Sequence, residues 1–385
     1  MKCQREKFQL QRKYAYINCA YMSPLLKKVE NAGIKGIKKK RKPFQISPDD
    51  FFHETETVRL LFSQLIENDV NERVVIIPSV SYGMANVINN LPFNDGEVII
   101  TDEQFPSNVY PWMSLKENGF DLTIIPPPNS GSRGEDWNNE IINSINDKTR
   151  VVSIGHVHWS DGTLFLLEKI RARLDEVGGL LIIDGTQSIG ALPFSIKKFR
   201  PDAVICAGYK WLMGPYSIGL AYYGPVFDEG SPVEENWINR IRSEDFSRLI
   251  DFQTAYREHA LRYEVGEHSN FILIPMIHAA LKQVLKWGPA NVQEYCSNLT
   301  KAPLEELSEL GYQTEHPDWR GEHLFGIRLP EKVEIEALQK SLKKHRVSVS
   351  VRGDAIRVAP HVYNDEMDMR KLLKAMKEPI LAQKN

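Results

Sequence analysis

Two residues of this chain have the types and the placement to do covalent amine chemistry. Lys210 sits in AGYKWLMGP directly after the apolar run DAVIC, and Asp184 ends another apolar run, GLLIID, in the segment DGTQ. If both runs are strands of one open parallel sheet, their carboxyl ends border a crevice of the kind where ligands collect. A lysine amine and a carboxylate then face one another from neighbouring strands. That is the layout pyridoxal 5'-phosphate chemistry requires: the lysine forms a Schiff base with the aldehyde, and the carboxylate keeps the pyridine nitrogen protonated so that the ring can take up electrons from a substrate carbanion. Taken singly, an Asp after a strand is most often a helix cap and a Lys there most often faces solvent. The pair reads differently, because Gly185 and Gly208 are expected to open space beside the two side chains and the turn Gly214-Pro215 follows Lys210 closely.

The stretch from Gly178 to Tyr223 resembles the cofactor-lysine region of the class V aminotransferase family, fold-type I enzymes related to cysteine desulfurases, kynureninases and isopenicillin epimerase-like proteins. The resemblance runs over nearly all of the chain, with its sharp motifs between Pro78 and Tyr223. It implies an α/β fold with a mainly parallel, doubly wound sheet and a smaller α+β C-terminal domain. It also implies pyridoxal phosphate as cofactor, an amino acid as substrate, and a homodimer.

A phosphate needs backbone N–H groups, hydroxyls and the positive end of a helix. IIPSVSYGMANVINNL offers them, with a strand ending at Pro78, hydroxyls on Ser79 and Ser81, and a helix expected from near Gly83. The resemblance places the phosphate cradle in this first strand-to-helix turn, which assigns Val80 and Ser81 to it through their amides and adds Tyr209 from beside the lysine. Some relatives have His in place of Tyr209 and Ser in place of Ala207, so one phosphate contact is lost. A flat ring needs a surface to lie against, and Phe105 in DEQFPSNVYPW supplies an aromatic at another strand end. Desulfurases carry histidine at this place, whereas kynureninase-like and epimerase-like members carry an aromatic. In SIGHVHWSDGT the resemblance sets Trp159 where relatives have an asparagine that reaches the cofactor's phenolic oxygen, a bond the indole N–H can donate, and it sets His158 on the substrate side. The Gln187 amide is a further donor to the same oxygen. Planar guanidinium is the best partner for a substrate carboxylate, and Arg357 in DAIRVAPHVYND matches the family's carboxylate-binding arginine. LRYEVGEHSNF loosely resembles the segment that crosses a dimer interface toward the partner's phosphate, with His268, Ser269 and Asn270 as candidates, and YINCAYMSP resembles the N-terminal stretch that lines the substrate pocket.

A different chemistry is also legible in HVHW, because an HxH at a strand end begins the metal site of many amidohydrolases. That reading needs Lys210 as a carbamylated bridge and Asp184 as a late ligand, but several strand-like runs precede the HxH and the later strand-end histidine pair is missing. No metal site is therefore expected. Within the pyridoxal phosphate reading, desulfuration needs a mobile nucleophilic cysteine near the substrate. The loop before Arg357 is short, VSVSVRGDAIRV, and contains none. An aminotransferase is the favoured expectation, with a lyase, a kynureninase-like hydrolase or an epimerase as the alternative. A non-catalytic cofactor-binding protein is disfavoured by the retention of Lys210, Asp184 and Arg357.

These residues need a scaffold, and the pattern along the chain provides one. Apolar runs at Val74–Ile77, Val98–Ile100, Leu122–Ile125, Val151–Ile154, Leu180–Ile183 and Ala203–Cys206 are separated by segments long enough for crossover helices. The run Ile218–Tyr223 follows too soon for a helical crossover and is predicted to pair antiparallel. Beyond Gly230 come helices at Ile272–Trp287 and Asn291–Leu310, the run His323–Leu329, a helix at Glu334–His345, paired strands Val347–Val351 and Ala355–Val358, and a last helix, Asp365–Lys377. The predicted division is residues 1–45 as an N-terminal segment serving the small domain and pocket, 46–230 as the cofactor-binding domain, and 231–385 as the small α+β domain.

Composition fits that architecture. The 385 residues, 42% of them hydrophobic, suffice for one large core and a smaller one, and a net charge of −2 suggests neither nucleic acid nor an acidic membrane as partner. Four cysteines at 3, 19, 206 and 296 form no CxxC pair, which suits a reducing compartment. The start, MKCQREKFQLQRK, has no apolar stretch of the signal-peptide kind, so a cytoplasmic enzyme is the expectation. The basic run KGIKKKRK at 35–42 reads as the wet face and exit of a surface helix.

Overall fold

The computed structural model describes residues 1–352 and 355–382. Its centre is a seven-stranded sheet in which runs of Val, Ile and Leu are covered on both faces, as parallel strands between helical layers must be, except along the edge strand Phe120–Ile125, where Ile124 is exposed. The strands are β2 (Val74–Ile77), β3 (Gly96–Thr101), β4 (Phe120–Ile125), β5 (Thr149–Gly155), β6 (Leu180–Asp184), β7 (Ala203–Ala207) and β8 (Gly219–Tyr223), and β1 (Ala15–Tyr16) lies elsewhere. Their spatial order is β2-β8-β7-β6-β5-β3-β4. Only β8 is antiparallel to its neighbours, β2 and β7, so β2 runs the same way as the rest. The predicted strands and the predicted antiparallel hairpin both form.

Period-two alternation sends successive side chains to opposite faces. Leu181, Ile183, Val204 and Cys206 join one core with the helices α2 (His53–Leu65), α5 (Arg133–Ser144) and α6 (Leu167–Val177). Ile182, Ala203 and Ile205 join the other, beneath α3 (Val80–Ile88) and the short α4 (Tyr110–Met113). The chain passes outward from β3 to β4 and then returns to place β5 on the other side of β3, so the winding reverses between β3 and β5. The carboxyl ends of β2, β3, β5, β6 and β7 therefore share one edge, which is where a doubly wound sheet binds its ligand. The short α7 (Ile196–Phe199) leads from β6 into β7.

A second body is built from α9 (Pro289–Glu309), α10 (Ile335–Lys344) and α11 (Glu366–Ala382) against the antiparallel sheet β12-β13-β10-β9, with β9 (Gln313–Thr314), β10 (Phe325–Arg328), β12 (Ser350–Arg352) and β13 (Ala355–Val358). The N-terminal β1 lies parallel to β11 (Val347–Ser348), which carries the first residues into this body, where Ala15 and Ile17 join its core. One expected boundary moves. Helix α8 (Leu273–Trp287) falls within the span predicted for the small domain, yet Ile274, Ile277, Ala280, Leu281 and Val284 are buried in the core of the large sheet. Its apolar stripe is wide enough to be claimed by the larger core, against α2 and α1 (Lys27–Lys39). The basic run 35–42 does form the exit of α1, with Val29, Gly33 and Gly36 turned inward.

The α1–α8 contact is close because of Gly36, where an added Cβ would fall on the carbonyl oxygen of Phe271, just ahead of α8. Helix propensity favours Ala over Gly by about 1 kcal/mol, but backbone that cannot yield makes overpacking the larger effect. Gly36→Ala should therefore lower stability by about 2 kcal/mol, read as a reduced midpoint in urea unfolding. An unchanged or raised midpoint would show that propensity outweighs the contact.

Candidate active site

Lys210 and Asp184 come together at the carboxyl edge of adjacent parallel strands. Gly185 donates its N–H to Ile205 of β7 at 2.8 Å, and the Thr186 hydroxyl accepts the Ala207 N–H at 3.0 Å, so the two loops are tied before either side chain is placed. The glycines serve close approach rather than open space: a Cβ at Gly208 would meet the Ile218 carbonyl oxygen at 2.6 Å. Beyond Lys210, Met213 and Ser217 hold positive φ of 57° and 65°, a strained return that carries the chain into β8.

The Asp184 carboxylate is held at both oxygens, by the Thr186 N–H at 2.9 Å and by the Asn108 side-chain amide at 2.5 Å. Lys210 is only 7% exposed and donates no hydrogen bond to any described residue. Its ammonium stands 5.6 Å from the Phe105 ring centre and 5.5 Å from that of Tyr209. Burial pushes its pKa down from 10.5 to about 8; Asp184 opposes the fall, and Arg357 and Arg352 add to it.

Above these groups lies a cavity of about 310 Å³, lined by Val80, Ser81, Phe105, Trp159, Asp184, Gln187, Tyr209 and Lys210, together with Ser79, Thr186, Tyr216 and Ser217. Eight of the predicted site residues thus share one space. Helix α3 starts at Val80 rather than near Gly83, because Ser79 caps it by accepting the Tyr82 N–H at 3.2 Å. The amides of Val80 and Ser81 consequently head the helix without intrahelical acceptors, beside the hydroxyls of Ser79 and Ser81, which lie 3.0 Å apart.

Several expected contacts differ. The Trp159 indole N–H is already donated to the Glu103 carbonyl at 2.6 Å, so it is not the free donor expected in place of an asparagine. Its ring instead stands edge-on to Phe105 at 5.5 Å, and its carbonyl accepts Arg357 at 2.7 Å. Gln187 spends its amide on the Ala20 carbonyl at 3.2 Å and on the Trp211 indole at 2.9 Å. His158, expected on the substrate side, is fully buried, bonded to Ser160 at 2.9 Å and set against Trp137, because the strand turn directs it into the core under α5. Asn270 lies outside the cavity, where its side-chain oxygen caps α8 by accepting the Ile272 and Leu273 N–H groups at 3.0 Å. His268 is buried against Glu264 at 3.2 Å and the Phe51 carbonyl at 2.9 Å, and Ser269 is buried beside it.

Arg357 is 1% exposed and meets no carboxylate among the described residues; besides the Trp159 carbonyl, its hydrogen-bond partner there is the Ser350 hydroxyl, at 3.3 Å. The amidohydrolase reading finds no geometry. His156 packs against Phe194 and Phe199, His158 against Trp137 and Phe165, and no three metal-ligating side chains converge among the described residues. Asn108 and Thr186 were not singled out in the sequence. Asn108 lies in FPSN, one 3-10 turn beyond Phe105, and its role rests on a contact with Asp184 that only the fold makes.

The cavity suits a flat, phosphorylated aldehyde. It has an amine with no hydrogen-bond partner among the described residues, a fixed carboxylate, an aromatic wall and a helix start for an anion, in a volume at the lower end of the roughly 300–1,000 Å³ usual for small-molecule sites. Comparison with known proteins points the same way. The chain is 27% identical over 320 residues to the uncharacterised aminotransferase YcbU of Bacillus subtilis, covering 82% of this chain and 81% of that protein. It is 28% identical over 264 residues to a probable cysteine desulfurase of Halalkalibacterium halodurans, covering 68% and 59%. Among solved structures, the apo cysteine desulfurase of Thermococcus onnurineus superposes with a TM-score of 0.82 at 20% identity, covering 99% of both chains. The cystine C–S lyase C-DES, bound to cysteine persulfide, gives 0.83 at 20% identity, covering 95% and 97%, and these likenesses establish the shared fold. The sequence pattern of the family Aminotransferase class-V matches residues 47–375, and this chain belongs to that family of fold-type I enzymes, with pyridoxal phosphate as its cofactor.

Proposed function

We propose that this enzyme acts on an amino acid and that its reaction is transamination, with Lys210 and Asp184 as its catalytic residues. The observation that carries the reading is Lys210, a buried amine with no hydrogen-bond partner among the described residues and a pKa lowered to about 8, facing a cavity lined by Trp159, whose carbonyl accepts Arg357. Pyridoxal phosphate, when bound, supplies an aldehyde that condenses with amines and a ring that withdraws electrons from the substrate Cα. In this proposal the Val80 and Ser81 amides and the Ser79 hydroxyl hold its phosphate, with Tyr209 adding a hydroxyl. Phe105 and Trp159 would wall the ring, and Gln187 lines the same cavity. Asp184, fixed by Asn108 and Thr186, keeps a negative charge beside the pyridine nitrogen and so retains its proton. The Lys210 Nζ removes the Cα proton and holds it, and its lowered pKa leaves a useful share of neutral amine near pH 7. Arg357 receives the substrate α-carboxylate. Asn270, whose side-chain N–H groups meet no acceptor among the described residues, enters the site when a second copy of the chain brings it there.

A second reading, a lyase, is favoured by the desulfurase relatives and the C–S lyase structure. The cysteines argue against the thiol-dependent form of that chemistry. Cys19, Cys206 and Cys296 are fully buried with thiol pKa values pushed up by burial, and none of the four lines the cavity. Screening amino acids with and without a keto-acid acceptor separates the two. A transaminase stops after one equivalent of keto acid without acceptor and turns over with it. Sustained keto-acid or sulfide release without acceptor would establish the lyase instead.

The electrostatics of Lys210 can be read without turnover. Reductive methylation of the cofactor-free protein, followed by peptide mapping across pH, should label Lys210 with a midpoint near 8, well below the exposed lysines. Asp184 raises that pKa and Arg357 lowers it, so Asp184→Asn should move the midpoint down and Arg357→Gln should move it up. Shifts in the same direction, or none, would show that these groups do not share one site.

A further inference from the structure

We propose that Arg352 is a second anion receptor beside Arg357 and that it selects amino acids carrying a second acidic group. This deepens the amino-acid reading and rests on it. The two arginines are brought together by strand register. In the antiparallel pair β12–β13, Ser350 lies opposite Arg357 and Arg352 opposite Ala355, so both guanidinium side chains leave the same face of the sheet as diagonal neighbours. Such neighbours have Cα atoms roughly 7–8 Å apart, within reach of each other's long side chains.

Both reach the same place. The Arg352 guanidinium lies 5.2 Å from the centre of the Trp159 ring and that of Arg357 lies 6.0 Å from it, and Trp159 lines the cavity that holds Lys210. Each carries a buried Nε with no hydrogen-bond partner among the described residues. Beyond that, Arg352 donates among the described residues only to the carbonyl of Val351, at 2.7 Å. No carboxylate among the described residues pairs with either, although acids stand close by. Asp161 and Glu103 are taken by Arg133, at 2.8 and 3.4 Å, and Asp184 is committed to Asn108 and Thr186.

Two like charges on diagonal sheet positions repel, and elsewhere in this protein such charges are matched by acids, as Arg59 is by Glu264 and Arg5 by Asp368. Burial, with Arg352 acting through space, brings the pKa of Arg357 down to about 10, and Arg352 also lowers that of Lys210. One α-carboxylate neutralises only one of the pair. A substrate with a second carboxylate, or a comparable acidic side chain, satisfies both forks at once, with the indole of Trp159 as the flat surface between them.

Calorimetric titration of the protein with glutarate and succinate, against butyrate, tests the pair without turnover. Either dicarboxylate should bind at least tenfold tighter than butyrate, and Arg352→Gln should reduce that preference to within twofold while leaving butyrate binding unchanged. Dicarboxylates that bind the parent protein no better than butyrate overturn the proposal whether or not the variant folds, as does a preference that survives Arg352→Gln. Comparing kcat/KM for aspartate with asparagine, and glutamate with glutamine, separates this from the broader reading. At least tenfold preference for one acidic member is expected. Turnover of acid and amide at equal rates removes the role of Arg352 and leaves the amino-acid reading standing. A dicarboxylate preference with no amino acid turned over keeps the anion pair and removes that reading.

Discussion

The site depends on a lysine buried at the end of one parallel strand and a carboxylate fixed at the end of the next. Desolvation opposes the charge on Lys210, and Asp184 offsets only part of that penalty because its own oxygens are occupied by Asn108 and Thr186. A fall from 10.5 to about 8 corresponds to roughly 3 kcal/mol of preference for the neutral amine. The sign follows directly. The folded chain holds this proton less tightly than the unfolded chain, so the penalty is present below pH 8 and is relieved between 8 and 10.5. A buried amine kept without a hydrogen bond is a cost that folding alone does not explain, and a cofactor aldehyde gives it a use.

Trp159 carries the link from the large sheet to the smaller body. Its indole N–H is fixed by Glu103, its edge meets Phe105, its carbonyl accepts Arg357, and its ring lies under Arg352. A side chain with that many duties positions its neighbours rather than donating to a ligand. The aromatic wall and the arginine pair are therefore mechanically coupled. The N-terminal segment closes the same region, where Ser23 donates twice to the Tyr209 carbonyl, at 3.0 and 3.1 Å, and Ala20 receives the Gln187 amide.

Much of this was legible in the sequence, for physical reasons. Strands covered on both faces are written as short apolar runs, so β2 to β7 were visible, and the brief connection after Lys210 required β8 to be antiparallel. Lys210, Asp184 and Phe105 were legible because each lies at or shortly past the carboxyl end of a strand. Asn108 was not, because its role arises from a contact with Asp184 across the sheet edge. The same blindness to tertiary contacts explains Trp159, whose N–H finds a backbone carbonyl first, and His158, which the turn after β5 rotates into the core. It also explains α8, whose apolar stripe says that it must be buried but not against which sheet. The register that pairs Arg352 with Arg357 becomes visible only once β12 and β13 are aligned.

The central claim, that Lys210 holds the cofactor, can be tested by one measurement. The purified protein, incubated with pyridoxal phosphate and reduced with borohydride, is digested and its peptides are mapped by mass spectrometry. The account predicts a yellow protein before reduction and a single pyridoxyl-modified residue, Lys210, afterwards. A colourless protein with no modified lysine, or a modification spread over surface lysines with Lys210 untouched, would contradict it.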